Sequence, residues 1–168
     1  DRIHSERGVR AMVSSSYSSE EFLKIYNRHV DTVYRICFSF MKNSSDTEDM
    51  VQETFLKLLS NGKRFESESH EKAWLIVTAS NACKDALKHW WRKNADIADC
   101  EALAQDAPFE MDGILSAVLE LPADYKTAVF LYYYEGYSTP EIARMLDCPQ
   151  STVRSRLARA RKLLEKEV

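Results

Sequence analysis

Apolar residues recur at steps of three and four along most of this chain, and that spacing limits its possible folds more than any other feature. The first run that shows it begins at Glu20 and contains Phe22, Ile25, Tyr26, Val30, Val33, Tyr34, Cys37 and Phe38. Such steps match the 3.6-residue turn of an α-helix and turn one apolar face toward a core. No segment alternates as a half-buried strand does, and 4 glycines and 4 prolines in 168 residues are few for a protein with many tight turns. The pattern predicts an all-α fold.

The predicted helices fall into two blocks on either side of an acidic stretch. The first block has helices that start near Glu20, Ser45 and Glu71, and the second has helices at Ile114–Glu120, Tyr125–Tyr134, Thr139–Leu146 and Gln150–Glu167. A Ser45–Glu48 capping box is expected to open the second helix, and Asn61-Gly62 to close it. We therefore expect two small helical domains on a tether: a leader outside the fold at 1–19, a first domain at 20–95, an acidic linker at 96–113 and a second domain at 114–168.

Charge is distributed very unevenly along the chain, although its formal net charge is only −3. Residues 94–125 contain no Lys or Arg, whereas residues 149–162 contain no acid and five cations: Arg154, Arg156, Arg159, Arg161 and Lys162. A net charge near zero therefore averages over segments with opposite electrostatic roles. The basic segment is a candidate for a contact with nucleic acid.

The segment before the basic residues has the pattern of a helix-turn-helix. Ser138 and Glu141 have the spacing of a capping box, and Ile142 with Met145 and Leu146 would face the core. Asp147 tolerates a left-handed backbone and Pro149 can open the next helix, so residues 147–149 predict a tight break. In this motif the second helix enters the major groove of DNA.

A helical wheel of the second helix separates its faces. Val153, Leu157, Ala160 and Leu164 fall within one narrow sector, which is the predicted core face. The far side, where base edges would lie, carries Ser151, Ser155, Ala158, Arg159 and Lys162, and the residues that flank the core face, placed for phosphates, are Arg154, Arg156 and Arg161. The alternative is a solvated basic helix, but such helices are usually interleaved with acids, and none occurs here before Glu165. We favour DNA binding.

Two further clusters occur in the first block. Asp49, Gln52 and Glu53 share an exposed helical face, which is either a docking face for a basic partner helix or a consequence of acids favouring a helix N-terminus. The run after Trp74 mixes aromatic, amide and cationic side chains, the combination that holds unstacked bases: Asn81, Lys84, Lys88, His89, Trp90, Trp91, Arg92 and Lys93. The alternative assigns Trp74 to the core and requires a partner for Asn81. Trp90 and Trp91, being adjacent, cannot both be buried on one face.

Catalytic, metal and membrane functions find no support in the sequence. It contains no Gly-rich phosphate loop, nucleophile elbow or Cys-x-x-Cys pair, and His29, His70 and His89 do not stand at ligand spacing with the cysteines. No apolar run approaches the roughly 18–20 residues that cross a bilayer. We expect no enzyme activity, no cofactor, no metal site and no membrane insertion.

Taken together, the motifs strongly resemble those of the extracytoplasmic-function (ECF, group IV) sigma factors of the sigma-70 family. An acidic D-x-E-D-x-V-Q-E-x-F-L-x-L helix corresponds to residues 46–58, and a W-L-x-x-x-A-x-N motif to residues 74–81. An E-I-A motif at 141–143 is followed by T-V-R-S-R-L-x-R-A-R at 152–161. The chain departs from the usual pattern at Asp147, Ser151 and Val77, which affects the expected promoter sequence and not the class.

The resemblance implies a sigma-2-like domain, a sigma-4-like helix-turn-helix domain, and a role for each motif. Core RNA polymerase would be contacted at its clamp helices and its flap. The first domain would bind the clamp helices at Asp46, Glu48, Asp49, Gln52 and Glu53. The −10 element would be bound by Trp74, Asn81, Lys84, Lys88, Trp91, Arg92 and Lys93. The −35 element would be bound by Ser151, Thr152, Arg154, Ser155, Arg156, Ala158, Arg159, Arg161 and Lys162.

The implied function is promoter-specific transcription initiation in the cytoplasm, on the nucleoid when the protein is in the holoenzyme. The implied partners are core polymerase and promoter DNA, and an anti-sigma factor is a third partner that the resemblance allows. The alternative is a stand-alone helix-turn-helix regulator whose N-terminal helices form an interaction domain. The two differ in one requirement, since a sigma factor needs core polymerase and a regulator does not.

Overall fold

The computed structural model describes residues 17–93 and 112–166, and all regular structure within these ranges is helical. The helices are α1 Ser19–Met41, α2 Ser44–Asn61, α3 Glu68–Lys93, α4 Gly113–Glu120, α5 Ala123–Val129, α6 Thr139–Met145 and α7 Gln150–Glu165. A π-helical turn, Phe130–Tyr134, continues α5. The predicted all-α class is confirmed. The predicted leader up to residue 16 and the linker over 96–111 lie outside the described residues.

The first domain is a three-helix unit in which α1, α2 and α3 pack against one another. Its core contains the fully buried side chains of Val33, Ile36, Leu58, Leu75 and Ile76. A buried polar group also joins α1 to α3. The Glu71 carboxylate accepts a hydrogen bond from Arg28 at 2.8 Å, and it lies 2.6 Å from Nε2 of His29. Burial lowers the pKa of His29 below its usual range, which favours the neutral ring at this position.

The start of the first domain corrects the predicted leader at its last three residues. Tyr17 is buried, its hydroxyl donates to the Lys63 carbonyl, and the Arg64 guanidinium lies 4.4 Å from the centre of its ring. Ser18 caps α1 in a capping box with Glu21. Residues 17–19 therefore belong to the first domain, because they supply both a core side chain and a helix cap.

The start of α2 also differs from the prediction, whereas its end does not. Asn43 caps the helix, since its side-chain oxygen accepts the Asp46 N–H at 2.9 Å while its own backbone is extended. The predicted Ser45–Glu48 capping box is wrong because Ser45 already lies inside the helix. Gly62 closes α2 with a φ of 63°, a left-handed conformation that costs glycine little.

The second domain has the predicted helix-turn-helix, formed by α6 and α7 over a core supplied by α4 and α5. Ser138 and Glu141 form the expected capping box, and Asp147 adopts the expected left-handed backbone with a φ of 50°. Pro149 then stands at the N-cap of α7. Val153, Leu157 and Ala160 are buried, which confirms the core face assigned from the helical wheel.

Loss of the Ser138 cap is expected to destabilise the second domain. The Ser138→Ala variant leaves the N–H of Glu141 without its side-chain acceptor, at a cost of about 1 kcal/mol in the free energy of unfolding. Ser116→Ala, at an exposed helical serine outside a cap, is the matched control and should change that free energy far less. Urea unfolding followed by circular dichroism measures both. Equal stability of the two variants would contradict the assigned cap.

The two domains pack against each other. One apolar cluster contains side chains from both, including Phe40 and Ile76 of the first and Phe130 of the second. Polar contacts also cross the boundary: the Tyr137 hydroxyl donates to the Ser69 carbonyl at 2.9 Å. The sequence predicted two domains but not this contact.

Candidate partner and nucleic-acid interfaces

The acidic helix α2 presents one exposed face and buries the other. Its buried face consists of Thr47, Val51, Thr54, Phe55 and Leu58. Asp49 and Gln52 are exposed, and Glu53 is half-buried in an ion pair with Lys57 at 3.3 Å. Leu56 lies on the same face, one turn after Gln52, and is 43% exposed. We call Asp49, Gln52, Glu53 and Leu56 the docking face.

Asp46 and Glu48, the other two predicted docking residues, differ in their contacts within α2. Asp46 accepts a hydrogen bond from the Asn43 side chain at 2.8 Å, so it stabilises the helix start whatever else it contacts. Glu48 is exposed, one turn before Gln52. Sequence reasoning missed Leu56, although its position three residues after Glu53 was a usable signal. An exposed leucine beside acids indicates a partner surface with an apolar centre.

Helix α3 carries the predicted −10 residues along one face. Asn81, Lys88 and Arg92 are exposed, and Lys84 is half-buried. The expectation that Asn81 needs a partner within the core is therefore wrong, because its amide faces solvent. Burial lowers the pKa of Lys84 below its usual range. We call Asn81, Lys84, Lys88 and Arg92 the strand surface; the predicted side chains of Trp91 and Lys93 lie outside the described residues.

An aromatic and basic loop continues the strand surface at its start. Trp74 is half-buried, and its ring lies 5.6 Å from that of Phe65. Lys63 and Arg64, immediately before Phe65, are exposed. The alternative that assigned Trp74 to the core is thus only partly right, because its half-buried ring also packs against Phe65 in this loop. Sequence reasoning missed residues 63–65, even though two cations followed by an aromatic residue are typical of single-strand binding.

Trp90 confirms the argument made for the adjacent tryptophans. Its side chain is 38% exposed on the last turns of α3, so at least one of the pair is not buried. At about 100° per residue, Trp90 lies on the opposite side of α3 from Asn81, so its ring is not part of the strand surface.

Helix α7 presents the predicted base-facing residues to solvent. Ser151, Ser155, Ala158, Arg159 and Lys162 are all exposed, as are Arg154 and Arg161, whereas Thr152 and Arg156 are half-buried. We call this exposed side of α7 the recognition face. A cleft of about 390 Å³ lies beside it, lined by Ser155, Arg156 and Arg159 and, from α5, by Asp124 and Tyr125.

The arginines of α7 point in two directions. Arg159 lines the cleft on the recognition face, whereas Arg161 donates a hydrogen bond to the Tyr133 hydroxyl at 3.3 Å on another side of the helix. Gln150 anchors the start of the helix, since its amide donates to the Thr139 hydroxyl of α6 at 2.9 Å. Arg159 and Arg161 therefore lie on different sides of α7, as the helical wheel predicts.

Comparison with known proteins places both halves of the chain in one family. Residues 25–93 match the family model described as Sigma-70 region 2, and residues 111–164 match the one described as Sigma-70, region 4. The ECF RNA polymerase sigma-E factor of Haemophilus influenzae is 35% identical, and the match covers 74% of this chain and 75% of that relative. The chain belongs to the extracytoplasmic-function sigma factors of the sigma-70 family.

Two further comparisons extend the similarity to the length of the chain and to its fold. The ECF sigma factor SigW of Bacillus subtilis is 27% identical, and the match covers 89% of each chain. The solved structure of the sigma factor RpoE from Bartonella quintana, in complex with the anti-sigma factor NepR, is 25% identical with a TM-score of 0.66; the match covers 88% of this chain and 93% of that one. Both domains of this sigma factor thus have counterparts in its relatives.

The function follows from the family. This sigma factor binds core RNA polymerase and directs promoter-specific initiation of transcription, and the alternative of a stand-alone regulator is not favoured. Sigma factors are initiation factors without catalytic activity of their own. None of the helices within residues 17–93 and 112–166 has the length and apolar character needed to cross a membrane.

The sigma factor also has an apolar groove that sequence reasoning missed. Side chains from α4, α5, the π-helical turn and α7 line it: Ile114, Ala117, Val129, Tyr133 and Leu164, around a volume of about 410 Å³. Ile114 is 41% exposed and Tyr133 is 40% exposed. Three consecutive tyrosines at 132–134 were the available signal, because aromatic residues with a polar end are enriched at interfaces. We call this surface the apolar groove.

Proposed function

We propose that four surfaces of this sigma factor divide the work of initiation. The docking face binds the clamp helices of core polymerase, and the apolar groove binds the flap. The strand surface, with Trp74 and the loop at residues 63–65, captures the melted −10 strand. The recognition face binds the −35 duplex. The observation that carries the proposal is that one chain exposes an acidic helix face on one domain and a basic helix face on the other, each opposite a buried core face.

Docking to polymerase depends on charge at its rim and on apolar contact at its centre. Asp49 and Glu53 attract a basic partner helix, which speeds encounter and fixes register. Leu56, exposed one turn after Gln52, supplies the buried area that charge alone does not. Asp46 and Glu48 extend the acidic rim toward the helix start. In the apolar groove, Ile114 and Tyr133 would take an apolar partner segment.

Recognition of the −35 element uses short side chains between long cations. Ser151, Ser155 and Ala158 let α7 approach the base edges closely, and Ala158 can contact a thymine methyl. Arg159 is placed to donate two hydrogen bonds to a guanine, the commonest specific contact in the major groove. Thr152, Arg154, Arg156, Arg161 and Lys162 would neutralise phosphates, which positions the helix without selecting sequence.

Capture of the −10 strand uses stacking and charge together. The exposed amide of Asn81 can form hydrogen bonds with the edge of an unpaired base, and Lys84, Lys88 and Arg92 attract the backbone. Trp74 and Phe65 form the aromatic support at one end of this surface. Trp91 and Lys93 remain proposed contributors at the other end.

Replacing Asn81 by alanine is expected to impair opening of the promoter. The side chain is exposed, so its removal leaves the fold intact, while the melted strand loses a specific contact. Permanganate reactivity of thymines in the bubble should fall several-fold at saturating holoenzyme. Asn27→Ala, the same substitution at an exposed position of α1, is the control. Wild-type reactivity in Asn81→Ala would remove Asn81 from the proposed site.

The remaining assignments concern partners, place of action and chemistry. We infer that this sigma factor acts in the cytoplasm, on the nucleoid when in the holoenzyme, because its two partners are polymerase and promoter DNA. An anti-sigma factor is a further partner, as in the solved structure of the Bartonella quintana relative. We infer no catalytic centre in this chain, because its work is binding.

Co-purification with core polymerase tests the proposed docking. The full chain is mixed with purified core enzyme and passed over a sizing column. We expect a one-to-one complex that survives the column and loses affinity at high salt, since charge contributes to docking. Separate elution of the two at every salt concentration, with the chain still bound to duplex DNA, would support the stand-alone regulator instead.

A further inference from the structure

One acidic side chain lines the basic cleft beside the recognition face. Asp124, in the first turn of α5, shares this cleft with Arg156 and Arg159 of α7. Its side chain is exposed, and it forms no ion pair within residues 17–93 and 112–166. The remaining lining residues carry no charge at neutral pH: Tyr125, Ser151, Thr152 and Ser155. An unpaired carboxylate beside a surface for DNA opposes binding of phosphates, so its position calls for a reason.

The cleft belongs to the second domain alone. All of its lining residues come from α5 and α7, which pack against each other. Side chains from both helices are buried in the same core, among them Val129 of α5 and Val153 and Leu157 of α7. The position of Asp124 relative to the recognition face therefore does not depend on contacts with the first domain.

The position of Asp124 within its own helix explains the acid only in part. Pro122 is the N-cap of α5 and supplies no side-chain hydrogen bond to the helix. A carboxylate in the first turn therefore stabilises the partial positive charge at this helix end. That role requires an acid in the first turn, but it does not require the acid to line a cleft with the arginines of α7.

The charge of Asp124 acts on the same region as the charge of Arg156. Burial lowers the pKa of Lys84 in α3; Asp124 opposes that shift, and Arg156 adds to it. Both side chains are thus within electrostatic range of one ammonium, and they also line one cleft. At such range a carboxylate offsets part of the positive charge that Arg156 and Arg159 present to a phosphate.

Weaker attraction to phosphate favours selection of sequence. Attraction to phosphate is the same for every sequence, whereas the paired hydrogen bonds from an arginine to guanine depend on the base. We propose that Asp124 is a positioning residue that sets −35 specificity. Its carboxylate holds Arg159 away from phosphates, so that Arg159 stabilises the complex mainly where a guanine accepts its hydrogen bonds. This inference rests on the proposed assignment of the recognition face.

Binding of holoenzyme to two promoter fragments tests this role. The fragments differ only in the −35 element, which has the selected sequence in one and a scrambled sequence in the other. Asp124→Asn should tighten binding of the scrambled fragment several-fold and of the selected fragment less, so that the ratio of the two affinities falls. The salt slope on the scrambled fragment should steepen by about one. Asp124→Glu, which keeps the charge, and Asp31→Asn, at an exposed position of α1, should both keep the wild-type ratio.

Arg159→Ala separates a failure of this inference from a failure of the proposed function. In the Arg159→Ala protein, adding Asp124→Asn should leave the ratio of affinities unchanged, because the acid acts through that arginine. An unchanged ratio in Asp124→Asn alone, with helix content retained by circular dichroism, would overturn the proposal. A fall in the ratio that persists without Arg159 would also overturn it. If Arg159→Ala itself does not change the ratio, the recognition face is wrongly assigned; if it does, only the role of Asp124 fails.

Discussion

Asp49→Lys combined with Glu53→Lys is expected to abolish binding to core polymerase while the sigma factor stays folded. Both side chains lie on the docking face, opposite the buried face of α2, so the core is unaffected. Reversal of two charges against a basic partner helix replaces attraction by repulsion. We expect affinity to fall by about a hundredfold or more. Titration of fluorescent core enzyme measures it.

The control for this double variant is Glu20→Lys with Asp31→Lys, which makes the same change in net charge at exposed positions on α1. That protein should bind core polymerase within a factor of a few of wild type. If the α2 variant is folded and binds as tightly as this control, the docking face is assigned to the wrong surface.

Arg159→Ala and Arg161→Ala are expected to weaken −35 binding in different ways. Arg159 lines the cleft on the recognition face, so its loss should cost about 1–3 kcal/mol and relax preference at one base pair. Arg161 flanks the core face and contacts Tyr133, so its loss should weaken all sequences alike and reduce the salt slope by about one. Binding-site selection with holoenzyme, repeated at several salt concentrations, separates the two effects.

Lys166→Ala, beyond the last turn of α7, is the control for general loss of charge and should change neither quantity appreciably. A reversal of roles would contradict the assigned orientation of α7. In that case Arg161→Ala would alter the selected sequence and Arg159→Ala would leave it unchanged, which requires a helix rotated away from its buried Val153 and Leu157.

Local chemistry was predictable from the sequence wherever one residue type decides a conformation. Gly62 ends α2, the Ser138–Glu141 capping box begins α6, and Asp147 takes the left-handed turn. The faces of α7 were predictable for a related reason, since a strict apolar period leaves only one way to bury Val153, Leu157 and Ala160. The Asn43 cap was missed because three neighbouring polar residues are all good caps and only the backbone selects among them.

Features that depend on contacts between distant residues were not predictable. Tyr17 follows a run of serines, and the neighbouring sequence does not indicate that its side chain contacts the Lys63 carbonyl and the Arg64 guanidinium. From the sequence, Lys126 would be assigned to the surface of a short helix. Its burial was not predictable because the two carbonyls it contacts belong to two other helices. The apolar groove was missed for the same reason, since α4, α5, the π-helical turn and α7 build it jointly.

Run-off transcription with purified core polymerase tests the central claim most directly. Templates come from a library selected for binding by the holoenzyme, and each reaction contains core alone, core with this sigma factor, or core with the Asp49→Lys, Glu53→Lys variant. We predict discrete transcripts only with the wild-type sigma factor, starting downstream of the selected −35 and −10 elements. If core polymerase gives the same transcripts with and without it, while the protein binds the −35 duplex by itself, the chain is a DNA-binding regulator and not an initiation factor.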